Sequence, residues 1–168
     1  MKESRRGFRV LFLCTGNSAR SQMAEALLNR RGAGRFVAES AGSHPAEQVN
    51  PHLIEVLREA GIEWQGHQPR NLDGLDRQPW DFVITVCDNA RETCPIFPGQ
   101  PVVAHWGMLD PAAVEGDEAA KRAAFLHAFS LISHRIDLLL ALPVEKLERL
   151  ALEARLQAIG GEVPAPRP

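Results

Sequence analysis

Phe8-Arg9-Val10-Leu11-Phe12-Leu13-Cys14-Thr15-Gly16-Asn17-Ser18-Ala19-Arg20-Ser21 is the stretch on which the reading of this chain turns. Its first six residues are apolar except Arg9, the composition of a parallel strand buried on both faces. Gly16, Asn17 and Ser18 are turn formers, and asparagine tolerates left-handed backbone. From Ser21 to Arg31 the residues Met23, Ala24, Leu27 and Leu28 fall on one helical stripe, and Gly32 and Gly34 stop it. A strand, a tight polar loop and a helix N-terminus together make a cradle for a tetrahedral oxyanion. Backbone N–H groups turn inward as a nest, with the helix dipole behind them. Arg20 clamps the oxygens through its planar fork of donors. Cys14 faces the central atom, and the same positive field favours its thiolate, the attacking form. Its pKa is therefore expected below the ordinary thiol value. A cysteine at a strand end is most often a small buried hydrophobe; the turn formers and the arginine that follow set this one apart. The candidate oxyanion contacts are Thr15, Gly16, Asn17, Ser18, Ala19, Arg20 and Ser21. The Ser21 hydroxyl can cap the helix or donate to the sulfur.

Outward from this loop, strands alternate with helices. Phe36 to Ser40, Trp80 to Cys87 and Pro101 to His105 read as strands. Asn50-Pro51 opens a helix through Ala60 that Gly61 ends, and Ala119 to Leu142 is a long amphipathic helix. The pattern predicts an α/β fold, a single-domain three-layer sandwich with a four-stranded parallel sheet, whose ligands bind beyond the carboxyl ends of the strands. The expected division is a tail over 1–7, the main domain over 8–143, an additional helix within 144–161, and a tail over 162–168 expected to be disordered. The additional helix is expected from Val144 to Ile159 and to dock on the domain.

The chain has 168 residues, 45% of them hydrophobic, and a formal net charge of −2. That size suits one domain with its own core. The balance gives no argument for nucleic acid or an anionic membrane as partner. No apolar run approaches the length of a membrane span, and the N-terminus lacks a signal-peptide pattern. A cytoplasmic location is expected, where thiols stay reduced. Three cysteines without a C-x-x-C pair suggest thiol chemistry more than a zinc site, so no metal and no cofactor is expected.

Cys87 and Cys94 stand seven residues apart on a polar segment. A regular strand would hold them roughly 20 Å or more apart. A helix would leave about 10 Å, whereas a disulfide needs Cα atoms within about 7 Å. They are either two loop thiols or a redox pair that forms when the segment bends. Asp110, before Pro111 on the loop after the fourth strand, is either turn chemistry or a general acid on the Cys14 side of the sheet.

Together these pieces resemble the thioredoxin-coupled arsenate reductases, which share the fold of low-molecular-weight tyrosine phosphatases. The likeness runs from about Arg9 to His134. It includes Leu13 through Ala26, Glu39-Ser40-Ala41-Gly42, Val83-Ile84-Thr85-Val86-Cys87 with Cys94-Pro95, and His105-Trp106-Gly107 with Asp110-Pro111-Ala112. The resemblance implies arsenate as substrate, thioredoxin as reductant and a role in arsenic detoxification. It implies that Cys14 attacks arsenic while Arg20 holds the oxygens and Asp110 protonates the departing hydroxide. Cys87 then attacks the Cys14 sulfur and expels arsenite, and Cys94 resolves that disulfide. Residues 87–99 are expected to change conformation between these encounters, with Gly99 and the prolines as distal hinge.

Two departures from the family pattern stand out. Ala19 replaces a further cysteine often found in the loop. Some relatives bind potassium through residues matching Asn17, Glu25 and Ser40 plus an acid, where this chain has His67-Gln68-Pro69-Arg70; potassium activation is therefore not expected. A tyrosine phosphatase of the same fold remains the alternative, since Cys14, Arg20 and Asp110 would suffice for it. Such phosphatases commonly place tyrosines after the Asp-Pro element, whereas Ala112-Ala113-Val114 follow here and the chain has no tyrosine. A non-catalytic arsenic or oxyanion sensor is the other alternative.

Overall fold

The computed structural model describes residues 7–87 and 97–164. At its centre lies β1 (Phe8–Cys14). β2 (Phe36–Gly42) pairs with it on one side, and β3 (Phe82–Thr85) followed by β4 (Val102–His105) on the other. All three pairings are parallel, with Leu13 opposite both Ala41 and Thr85. α1 (Arg20–Arg31) carries the chain from β1 to β2, and α2 (Pro51–Glu59) lies between β2 and β3. α3 (Glu118–Ala141) and α4 (Arg149–Ile159) follow β4. This is an α/β fold built on a four-stranded all-parallel sheet. Val10, Leu11, Phe12 and Leu13 are all 3% exposed or less. Successive strand residues point to opposite faces, so both faces of the sheet are covered.

This topology positions the loop after β1. The chain leaves β1 toward β2 on one side and later returns to form β3 on the other. The carboxyl end of β1 is thus the point where the strand order switches, the crevice in which open α/β sheets bind ligands. Cys14 is the last residue of β1.

Local chemistry explains the helices. The α1 stripe of Met23, Ala24, Leu27 and Leu28 is fully buried, and the Gly32 N–H closes the helix on the Leu28 carbonyl. α1 packs on β1, β2 and α3. At α2, the Asn50 side chain accepts from the His52 N–H, and Pro51 occupies the first turn. Gly61 takes the left-handed φ of 80° that ends this segment. Asp117 caps α3 through the Ala120 N–H.

Several expected boundaries shift. β3 is Phe82–Thr85 rather than Trp80 to Cys87, because Trp80 turns its indole N–H to the Leu75 carbonyl while the Asp81 carboxylate takes the Arg9 N–H. The final helix starts at Arg149, not Val144. The buried Val144 side chain and the Arg35 guanidinium, which binds the Leu140 and Leu142 carbonyls and Glu145, hold that stretch in turns. Beyond that helix the Glu162 carbonyl accepts from Arg135. Contrary to the sequence expectation, α3 is long and apolar enough to cross a membrane by composition alone. Here Phe125, Ile132, Ile136 and Leu139 are buried in the protein core, and the helix packs on α1, α2 and α4.

Leu27 tests the α1–sheet packing. Leu27→Ala should lower unfolding free energy by about 2–5 kcal/mol in denaturant titrations, the cost of a cavity at a fully buried site. A loss under about 1 kcal/mol would mean that α1 is not packed as described.

Candidate active site

Between β1 and α1, residues 14–18 form a loop whose carbonyls are all engaged outward. Ser43 N–H donates to Cys14 O (3.1 Å), His44 to Thr15 O (2.9 Å), Ala46 to Gly16 O (2.9 Å) and Asn50 to Ser18 O (3.0 Å). The Gln22 side chain donates to Asn17 O at 2.9 Å. Trans peptides are planar, so each N–H points opposite its carbonyl. Fixing carbonyls 14–18 outward therefore turns N–H groups 15–19 inward. Asn17 N–H fits this geometry, meeting Cys14 Sγ at 3.2 Å. Asn17 adopts a φ of 50°, the left-handed conformation that curls the loop. Gly42 lets β2 approach closely, since a Cβ there would collide with the Thr15 carbonyl oxygen.

Asn17 is fully buried and its amide orientation is determined. Its Oδ1 accepts from the Arg70 backbone N–H at 3.1 Å, a group that only donates. Nδ2 therefore donates, to Ser21 Oγ at 2.8 Å and Ser40 Oγ at 2.9 Å. The Ser21 hydroxyl keeps its proton and lies 2.8 Å from Cys14 Sγ, placed to donate to the thiolate form. Gln22, which the sequence reading did not single out, spans Asn17 O and His67 O and accepts from the Trp64 indole. Only the apparent misfit of a polar residue beside the apolar stripe of α1 hinted at it.

Arg20 lies at the start of α1 with a nearly buried side chain. Nη1 donates to Met108 O at 3.1 Å, and Nη2 lies 3.5 Å from Asp110 Oδ2. Its Nε is buried without a hydrogen-bond partner among the described residues. A buried donor in that condition costs about 1–3 kcal/mol, which an anion in the loop would offset. Asp110 is partly exposed and uses Oδ1 to cap the short 3₁₀ turn Pro111–Ala113 through the Ala112 N–H at 2.9 Å. The turn reading of Asp110 is therefore met by its cap, and the same side chain also faces the arginine of the loop.

Cys14 differs from expectation in its acidity. Burial pushes its thiol above the ordinary value, outweighing the Ser21 hydrogen bond, the Arg20 charge and the Asn17 N–H, which pull it down. The cationic donors foreseen from sequence are present, but the sulfur is 2% exposed, and loss of water opposes the thiolate. Cys87, just beyond β3, is also buried, and its Sγ lies 3.2 Å from Thr15 Oγ1. The structure thus sets the second thiol against the residue next to Cys14. Cys94 lies outside the described residues, as does most of the 87–99 segment expected to rearrange.

The potassium-related positions can be tested directly. His67 Nε2 lies 3.1 Å from Glu25 Oε1, and Nδ1 lies 2.8 Å from the Gln68 carbonyl. The two ring nitrogens face a carboxylate and a carbonyl, with Ser40 Oγ also 3.5 Å from Nε2, an arrangement that favours the protonated ring. Its pKa is raised, chiefly by the hydrogen bond to Glu25. Arg70 Nε donates to Ser40 O at 3.0 Å. Protein cations thus already occupy Glu25 and Ser40, and these residues do not fit an alkali ion. Among the described residues no cluster of His, Cys, Asp and Glu could hold a metal.

The thiol can be probed chemically. Iodoacetamide alkylation of Cys14 should titrate above the ordinary thiol range, and Ser21→Ala should move the midpoint higher still. A midpoint below neutrality would show that the donors outweigh burial.

Residues 9–151 match the family profile described as low molecular weight phosphotyrosine protein phosphatase. The arsenate reductase of Bacillus licheniformis is 39% identical over 127 residues, 76% of this chain and 91% of that protein. The solved arsenate reductase of Archaeoglobus fulgidus is 33% identical with a TM-score of 0.59, over 76% of this chain and 98% of that one. The thioredoxin-dependent arsenate reductase of Corynebacterium glutamicum is 30% identical with a TM-score of 0.61, over 83% of this chain and 63% of that one. An oxyanion loop closed by Arg20, with a second thiol at its rim, on a sheet of this order and with these relatives, makes the chain a member of the low molecular weight phosphotyrosine protein phosphatase family, in its arsenate reductase branch.

Proposed function

We propose that this chain reduces arsenate to arsenite with its own thiols, is recycled by thioredoxin in the cytoplasm, and serves arsenic detoxification. The observation that carries the reading is Thr15 Oγ1 at 3.2 Å from Cys87 Sγ. A phosphatase needs one thiol in this loop, whereas a thiol reductase needs a second within reach of the first. The absence of tyrosine from the chain further favours a small inorganic oxyanion over a phosphotyrosine ring.

Arsenate enters the loop as a dianion. The inward N–H groups and Arg20 hold its oxygens. The anion gives Arg20 a new partner and releases Asp110 from it. Because the resting Cys14 is a thiol, the dianion itself takes the sulfur's proton, an exchange that leaves the site's charge unchanged. The thiolate attacks arsenic. The As–O bond to the leaving group breaks, and the hydroxide leaves as water with a proton passed through Asp110, which takes up the proton that the oxyanion received from Cys14.

Reduction comes at the second thiol. Cys87 attacks Cys14 Sγ, and an S–S bond forms as the S–As bond breaks. Its electron pair stays on arsenic, which passes from +5 to +3 and leaves as arsenite. Thr15 Oγ1 donates to the Cys87 thiolate in this step. Cys94 then attacks Cys87, releasing the Cys14 thiolate. A dithiol of the thioredoxin class supplies two electrons and two protons to the Cys87–Cys94 disulfide.

The test is arsenate-dependent NADPH oxidation with thioredoxin and thioredoxin reductase. Activity is expected in the wild type and none in Cys14→Ser. Cys94→Ser should complete one turnover and accumulate a Cys14–Cys87 disulfide seen by mass mapping. Sustained turnover of Cys94→Ser would remove Cys94 from the relay, and phosphate-ester hydrolysis without arsenate reduction would favour the phosphatase.

Thr15→Val keeps shape and removes the hydroxyl. It should slow arsenite release in a single turnover about tenfold, the value of one hydrogen bond to a charged group, while phosphate still protects Cys14 from alkylation. An unchanged release rate would leave Thr15 with no part in the step.

A further inference from the structure

The loop that carries Asp110 is itself held in place from an unexpected side. Segment 105–110 contributes Met108 O and Asp110, the two groups bound to Arg20. Thr85 of β3 holds its start, taking the Trp106 N–H at 2.7 Å and meeting His105 Nδ1 at 2.7 Å, and further anchors come from α4 and the residues after it. The His105 N–H donates to Gln157 Oε1 at 2.9 Å, and the Trp106 indole N–H donates to Leu156 O at 3.0 Å. At Gly160 a Cβ would collide with the His105 carbonyl oxygen, so the end of α4 lies directly against this backbone.

Arg135 ties the same segment from α3. It is 4% exposed, and its Nη1 donates to Trp106 O at 3.1 Å and Gly107 O at 3.2 Å. Its Nε donates to Glu162 O at 3.3 Å. One buried guanidinium therefore joins the acid-bearing loop to the residue that follows α4. Desolvation lowers the Arg135 pKa, in keeping with a cation held by carbonyls away from water. A buried charge in such a place is costly unless its hydrogen bonds are met.

Residues 152–162 lie beyond the stretch matched by the family profile, which ends at 151. The oxyanion loop and Arg20 are inside that stretch, and the brace on their partner loop is outside it.

We propose that residues 156–162 form a positioning element of the active site: Gln157, the Leu156 carbonyl and Glu162 acting through Arg135 hold segment 105–110 so that Asp110 and Met108 O stay in register with Arg20. Gln157 touches no substrate. It acts through the His105 backbone, which leads into the loop that aims the acid and the arginine. The proposal rests on the oxyanion site and, for its catalytic arm, on arsenate reduction.

The experiment separates those two. Inorganic phosphate is the probe of the site, read as protection of Cys14 from iodoacetamide, and needs no reductase activity. Gln157→Leu, which removes the acceptor, should weaken phosphate binding about fivefold. Gln157→Glu, which keeps an acceptor oxygen for the His105 N–H, should restore it to within twofold of wild type. Leu150→Ser, an exposed position on the same helix, should change nothing.

In arsenate turnover Gln157→Leu should lower kcat about tenfold in the wild-type background and less than twofold in Asp110→Asn, because the brace works through the acid loop. Wild-type phosphate protection without arsenate turnover would overturn the reductase reading and leave the brace to the binding arm. Equal losses in both backgrounds, equal behaviour of Gln157→Glu and Gln157→Leu, or unchanged phosphate binding in a folded Gln157→Leu would overturn the brace.

Discussion

Carbonyls 14–18 are held away from the loop centre by the N–H groups of residues 43, 44, 46 and 50 and by the Gln22 amide. Because a peptide is planar, that restraint alone obliges the matching N–H groups to converge. The anion site is therefore built largely from outside the loop. The segment after β2 supplies the donors, and Gly42 supplies the room for it to come close. Asn50 has two tasks there: its N–H holds Ser18 O, and its side chain caps α2. Anything that displaces α2 also disturbs the nest.

The charges around the nest are arranged for exchange rather than rest. Arg20 shares its fork between a carbonyl and Asp110 and has a buried Nε without a partner. An oxyanion in the loop would meet that shortfall. Burial favours the neutral thiol of Cys14. Behind the loop, the His67 ring on Glu25, the Arg70 backbone N–H on Asn17 and the Arg70 guanidinium on the Ser40 carbonyl occupy groups that an alkali ion would otherwise use.

The two buried thiols of the described structure approach the same loop from adjacent strands. β1 ends at Cys14, β3 ends two residues before Cys87, and the parallel register sets Leu13 beside Thr85. Parallel pairing of neighbouring strands places their carboxyl ends on one side, so Cys14 and Cys87 come to the same edge of the sheet without a special device. Asp110, on the loop after β4, arrives at that edge for the same reason.

Much of this was legible in the chain itself. The apolar run into Cys14-Thr15-Gly16-Asn17-Ser18-Ala19-Arg20 carried the strand, the loop and the helix start, because turn formers and helical periodicity are local properties. The alternation of strands and helices carried the parallel sheet, and the Asn50-Pro51 cap and the Gly32 and Gly61 stops were readable for the same reason. Tertiary structure decided what depends on distant partners. The Cys14 acidity was misjudged because burial, which the neighbouring donors do not reveal, sets its sign. The start of α4 was misplaced because Arg35 and the buried Val144 override helical periodicity there. Gln22, Gly42, Arg135 and Gln157 carry no local signal of their tasks: each acts on backbone far away in sequence, and only the folded chain brings the two together.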